Sequence, residues 1–324
     1  MILHSFRKIA GILILLTLFV CGASAQDRNA VIQAYNEGAK LIQTDPAGAI
    51  TAFEKSITLA ETVGDPAADL KKKAEGVLPG LYLKVASNAI NEKKPAAEIM
   101  SSAKKAVAVA EKYGSATSKD NASKMLVQAY NTVATGYFSK NDYTNALLTF
   151  DSLLAVNPNY VNAIYNKALI YIKQNNSASF ETTIDNYIEK VKAANDTVKA
   201  RQASTLALEY FRGLGSKANQ AEKTDDALAL LDKAAKYGND KDLFYYYADV
   251  YNKKKNFDKG VEYAKRGLDM ETGTPEAKAK FYFQLGLAQE GKGQTAEACG
   301  SFKNALYGPF AEPSKAKLKN LKCQ

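Results

Sequence analysis

"YNTVATGYFSKNDYTNALLTFDSLLAVNP" (residues 130–158) carries two apolar stripes at helical spacing with a polar turn between them. Tyr130, Val133, Ala134 and Tyr137 fall at i, i+3, i+4 and i+7, one face of a helix. Past "SKNDY" the stripe resumes with Ala146, Phe150 and Leu153, and Pro158 stops it. The stretch therefore predicts helix, turn, helix. A hairpin of this size cannot bury its apolar face alone, so the chain must supply something to stack against it.

The same texture recurs. Residues 244–271 place Phe244, Tyr247, Ala248 and Tyr251 on one stripe, then "KKKNF", then Gly260, Ala264 and Gly267. Tyr282, Leu285 and Gly286 precede "GKGQT", and Ala298, Phe302 and Ala305 follow it. Looser copies fill the remainder: Ala168 and Tyr171 with Phe180, Ile184 and Tyr187; Ala227, Leu231 and Ala234; Ala49, Phe53 and Ser56 behind Pro46; Ala96, Met100 and Ala103 behind Pro95. No stretch alternates with period two, so the fold class is all-α.

This pattern resembles the tetratricopeptide repeat (TPR), in which a first helix with small and aromatic positions pairs with an Ala-x-x-x-Phe second helix and a closing proline. The resemblance implies a right-handed superhelical solenoid of about seven helical hairpins over residues 26–312, closed by a C-terminal capping helix over 313–324. Two stretches strain the register. "GVLPGLYL" (76–83) puts a proline and two glycines inside a helix and predicts a break or kink, and Phe180 to Ala227 is longer than one repeat, so the helices there must be extended.

In this family the first helix of each hairpin lines the concave surface. The tyrosine-rich run "LFYYYADVY" (243–251) then splits: Tyr247 and Tyr251 hold the fold, Tyr246 meets a neighbouring helix, and Tyr245, Asp249 and Asn252 line the groove. The same register brings Asn131 and Thr135, Tyr165 and Leu169, Arg212 and Ser216, and Phe283 and Leu287 to that surface. Aromatic and amide groups with little charge suit a protein or peptide partner, because rigid rings give contact area at low entropy cost. A glycan or peptidoglycan fragment stacking on the tyrosines is the alternative, against which the absence of tryptophan counts. The lysine-asparagine-arginine clamp with which one subclass holds a C-terminal carboxylate is not visible.

The N-terminus has the layout of a secretory signal peptide over residues 1–25: Arg7 and Lys8, an apolar run from Ile9 to Val20, and Ala23-Ser24-Ala25. The run is too short for a bilayer, which needs roughly 20 apolar residues. Export to the periplasm is the expectation; secretion, or a lipid on Cys21, which follows the ill-suited Phe19-Val20, is the lesser one. Cleavage would remove His4, the single histidine, and would take the net charge from +9 to +7 by removing Arg7 and Lys8. Cys299 and Cys323 then remain as a pair and predict a disulfide that pins the cap to the last hairpin.

Without histidine the commonest general base and metal ligand are gone. Ser101-x-x-Lys104 and Ser102-x-x-Lys105 lack the companion elements of penicillin-binding enzymes. No phosphate loop occurs, so the sequence predicts no catalysis, no cofactor and no metal. Four arginines after residue 25 are too few to suggest sequence-specific nucleic-acid binding, and the scattered lysines have the spacing of solvated helix faces. Asp196-Thr197-Val198 resembles a short O-glycosylation acceptor of Bacteroidetes envelopes. Partner, pathway and oligomeric state are not written in the sequence.

Overall fold

Short polar side chains start most of the helices. Asp45, Ser115, Asp142, Asn176, Asp196, Asp240, Asn256 and Thr274 each accept a backbone N–H from the first helical turn, filling donors that the helix itself leaves unpaired. The computed structural model describes residues 27–324, and the expected leader and Cys21 lie outside the described residues. Among the described residues, regular structure is helical throughout, as the repeat pattern predicts, and no helix is long and apolar enough to cross a membrane.

The chain parts between Gln174 and Asn175 into two compact units. In the first are α1 (27–41), α2 (Pro46–Val63), α3 (Ala68–Asn91), α4 (Ala96–Tyr113), α5 (Ala116–Ser139), α6 (Tyr143–Val156) and α7 (Val161–Lys173). In the second are α8 (Ser177–Ala193), α9 (Thr197–Gln220), α10 (Thr224–Ala235), α11 (Lys241–Lys253), α12 (Phe257–Met270), α13 (Pro275–Gly291), α14 (Thr295–Asn304) and α15 (Ala311–Asn320). In chain order the described helices make seven first helices, seven second helices and a terminal one, the number that the repeat pattern predicts. The extension expected after Phe180 is real, since α9 alone has 24 residues. The terminal helix begins at Ala311, two residues before the expected cap.

Large side chains of one helix enter gaps left by small residues of the next. In the first unit Phe53 of α2 is fully buried, and its ring lies about 3.0 Å from where a Cβ on Gly38 would stand. Further along, Ala146, Phe150 and Leu153 of α6 pack with Ala134, Ala163 and Ile170 of the flanking first helices. In the second unit the ring of Phe302 occupies the space a Cβ on Gly286 would need, and Phe281 does the same at Gly267. Such packing fixes which helices can be neighbours, because a void or an extra methyl in a close-packed interior is felt directly.

At the proline stretch the expected break does not occur. Helix α3 runs without interruption from Ala68 to Asn91 with Pro79 inside it and buried. Proline in a helix interior costs about 3 kcal/mol. Here Ala74, Leu78 and Leu81 on either side of it are buried against α2, and that burial outweighs the lost hydrogen bond.

Candidate functional site

Three first helices of the second unit, α9, α11 and α13, share a line of polar side chains. Asp249 of α11 stands in the middle. It accepts a hydrogen bond from Asn219 of α9 and another from Gln284 Nε2 of α13 at 3.0 Å, and Lys253 Nζ lies 3.5 Å from its second oxygen. Lys253 in turn donates to the side-chain and backbone oxygens of Asn219 at 3.0 and 3.1 Å. Asn252 Nδ2 donates to both the side-chain and the backbone oxygen of Gln284, each at 2.9 Å. Asn219 and Gln284 are each only 3% exposed, so these bonds stand in a poorly hydrated setting where an unpaired amide would be costly.

Asn252 also reaches back to its own hairpin. Its Oδ1 is buried without a hydrogen-bond partner and points at Gly260 of α12; a Cβ there would lie 2.1 Å from it. Glycine at 260 thus lets α11 and α12 cross with the amide between them.

Beside this line a cleft of about 410 Å³ opens among α11, α12, α13 and α15. Asp249, Asn252 and Lys253 form one wall, Phe257 and Leu287 the apolar part, and Glu290 and Lys317 the other wall, joined to each other at 2.7 Å. Two carboxylates face two ammonium groups, so the lining is charge-balanced. The sequence-based expectation of a lining with little charge is corrected here: Glu290 continues the Phe283–Leu287 stripe by three residues, while Lys253 and Lys317 come from beside the stripe and from the terminal helix.

The predicted groove residues are not gathered in one place. Asp249 and Asn252 line the cleft together. Tyr245, one turn earlier on α11, is half-buried: its ring meets Phe281 edge-on at 6.2 Å and Tyr246 at 5.2 Å. Burial, and then the nearby Asp249 carboxylate, push its phenol up to about 12, against a lowering contribution from Gln284. Arg212 is held by an ion pair to Asp240, the residue that caps α11. Phe283 stands between Phe302 and Phe310, at 5.8 and 5.5 Å, and so faces α14 and the turn before α15. Asn131 and Tyr165 belong to the first unit, on α5 and α7, where both are partly buried. Tyr247 and Tyr251 stack with Tyr263 of α12, at 4.6 and 5.5 Å from it.

Sequence reasoning missed Asn219 and Gln284. Asn219 was within reach, because it continues the Arg212–Ser216 stripe by three residues and matches Asn252 one repeat later. Gln284 was not, since its register position belongs to the core and only the crossing of α11 and α13 makes it a polar hub. Among the described residues no group of histidine, cysteine or acidic side chains could hold a metal ion.

At the C-terminal end Cys299 of α14 and Cys323 are joined by a disulfide with Cα atoms 5.7 Å apart. The hairpins, their small-residue crossings and the aligned first helices agree with a match of residues 212–275 to the family described as tetratricopeptide repeat. Residues 212–275 are a tetratricopeptide-repeat segment. The matched TPR segment includes the C-terminal third of α9 and all of α10, α11 and α12, and therefore Asn219, Asp249 and Asn252. No curated protein matches the sequence. Solved structures that resemble it include MamA, 23% identical over 61% of this chain and 96% of that one, with a TM-score of 0.31. A tetratricopeptide repeat protein from Parabacteroides merdae ATCC 43184 is 16% identical over 91% of this chain and 99% of its own, at a TM-score of 0.30. YrrB, described as a TPR protein with an unusual peptide-binding site, is 17% identical over 60% and 91%, at 0.33. Likenesses at this level carry no weight for function.

Proposed function

We propose that this protein is an exported, non-catalytic scaffold that holds a protein or peptide partner in the cell envelope along its first helices. The observation that carries the reading is the open cleft beside the Asn219–Asp249–Gln284–Asn252 line. Its apolar floor of Phe257 and Leu287 offers anchorage, and the inter-helix hydrogen bonds of the polar line hold the wall in place before any partner arrives, which lowers the ordering cost of association. Paired donors and acceptors with charge of both signs suit the backbone and mixed side chains of a peptide better than a reaction centre. No nucleophile in the cleft is paired with a base.

Export is supported by the leader pattern of residues 1–25 and by the disulfide between Cys299 and Cys323, a bond that persists in oxidising compartments. The test is photo-crosslinking in the envelope of intact cells. A photoreactive residue at Leu287, inside the cleft, should give a discrete adduct, and one at Leu148, an exposed position of the first unit, should not. Equal adducts from both positions, or none from Leu287, would overturn the assignment. N-terminal sequencing of the recovered protein should begin at Gln26; a start at Met1 would refute export.

A further inference from the structure

A second cleft, in the first unit, differs from the one just described in its charge. It has a volume of about 580 Å³ and lies between the α3–α4 turn with the start of α4 on one side and the C-terminal half of α5 on the other. Ile99, Val133 and Tyr137 supply an apolar floor; Ile99 and Val133 belong to the buried core of this unit, so the floor is fixed. The rim carries Lys93, Lys94 and Lys140, and no acidic residue lines the cleft. Glu92, just outside it, meets Lys94 at 3.3 Å. Lys93 and Lys140 make no side-chain hydrogen bond or ion pair among the described residues.

Turn lysines need not be left this way. In the second unit Lys253, Lys254 and Lys292, also from hairpin turns or the ends of their first helices, are met by Asp249, Asp225 and Asp258. The cleft there has two charges of each sign. Three ammonium groups around an apolar hollow, with a single carboxylate nearby, instead form an electrostatic complement that is missing its other half. Thr135 and Ser139, also on the wall, spend their hydroxyl protons on backbone oxygens of α5, and the lysines are the charged donors of the cleft.

We propose that this cleft is a docking site for an acidic segment of a partner protein, with an aliphatic side chain seated on the Ile99–Val133–Tyr137 floor and carboxylates reaching Lys93, Lys94 and Lys140. The site is built from hairpin turns of the first unit and is separate from the cleft beside Asp249, so either assignment can fail without the other. An acidic partner would find it through charge and be selected by the floor, because exposed ion pairs steer and orient while adding little affinity each.

The test is fluorescence anisotropy on the full chain with a labelled probe peptide of glutamates and aspartates around a single leucine. Comparison peptides replace the leucine with serine or the acids with lysines. The acidic leucine peptide should bind saturably, more weakly as salt rises. Lys93→Glu with Lys140→Glu should weaken it at least about tenfold, since each rim pair is not only lost but reversed in sign. Gly136→Leu tests the hollow without altering charge: Gly136 lines the cleft, is exposed, and a Cβ on it would meet nothing within 4 Å, so the helix tolerates the change while the space is filled. That variant should weaken binding comparably. Lys255→Glu, the same charge change in a turn of the second unit, should leave binding unchanged. The proposal is overturned if Lys255→Glu weakens the peptide as much as the double variant, because general basicity then explains the binding. It is equally overturned if polyphosphate binds as tightly and is indifferent to Gly136→Leu, or if the acidic leucine peptide does not bind the wild type.

Discussion

Gly267→Ala tests whether helix crossings of the kind seen between α12 and α13 hold the hairpins together. A Cβ at this position would lie 2.3 Å from Cε1 and 2.4 Å from Cδ1 of Phe281. Carbon atoms pack at about 3.5–4.0 Å, so the ring would have to withdraw by about 1.2 Å. It has no room to do so freely: Phe281 is fully buried and Tyr245 abuts it edge-on. Overpacking of this kind costs about 1–3 kcal/mol, and the alanine returns about 1 kcal/mol in helix propensity. Because the obstructing atoms belong to a rigid ring rather than a flexible chain end, the cost should win, with a net loss of up to about 2 kcal/mol. Gly300→Ala is the matched control. It also lies inside a helix, but a Cβ there meets nothing within 4 Å, so only propensity changes and stability should rise by about 0.5–1 kcal/mol. Urea unfolding followed by circular dichroism reads both, and the midpoints should move in opposite directions with the slope unchanged. If both variants shift the midpoint the same way by the same amount, the close approach at Gly267 is not what positions α12 against α13.

Three further outcomes follow from the same structure. Reduction of the Cys299–Cys323 bond, or its replacement by two serines, releases a constraint across 24 residues and should cost about 3 kcal/mol by the chain-entropy model, read as a lower urea midpoint of the second unit in the presence of reductant. Gln284→Glu removes the donor to Asp249 and sets a second carboxylate beside it, so stability should fall by about 1–3 kcal/mol at neutral pH and partly return as acidification protonates one of the pair; a loss that is independent of pH would argue against the network. Tyr82 donates to Glu54 at 2.6 Å, and burial first, with that bond and the Glu54 charge, pushes its phenol up to about 12. Its contribution to stability is therefore complete below pH about 10, the unfolded value, and is lost as pH rises through 12; ultraviolet titration should show one fewer late-ionising tyrosine in Tyr82→Phe.

Helical character and the hairpin repeat were legible because both are one-dimensional properties: the spacing of Tyr130, Val133, Ala134 and Tyr137, and of Ala146, Phe150 and Leu153, needs only the pitch of a helix to be read. The cysteine pair was legible for a similar reason, as two thiols near one end in a chain with a leader pattern. The continuity of α3 was not, since propensity at Pro79 argues for a stop and only the apolar contacts of Leu78 and Leu81 with α2 override it.

The candidate site divides along the same line. Register alone brought Asp249 and Asn252 to one stripe of α11. It could not show that Gln284, on the apolar side of its own helix, turns to join them, that Phe283 is taken up by Phe302 and Phe310, or that Lys317 arrives from the terminal helix to close the cleft. Nor could it distinguish Lys93 and Lys140, in the α3–α4 and α5–α6 turns, from lysines that find a carboxylate. The sequence by itself determined the repeat, because burial of a periodic apolar face depends on neighbours along the chain. The tertiary structure decided which polar groups are paired and which are left open, because pairing depends on distances between helices some 30 or more residues apart in sequence, as at Asn219 and Asp249.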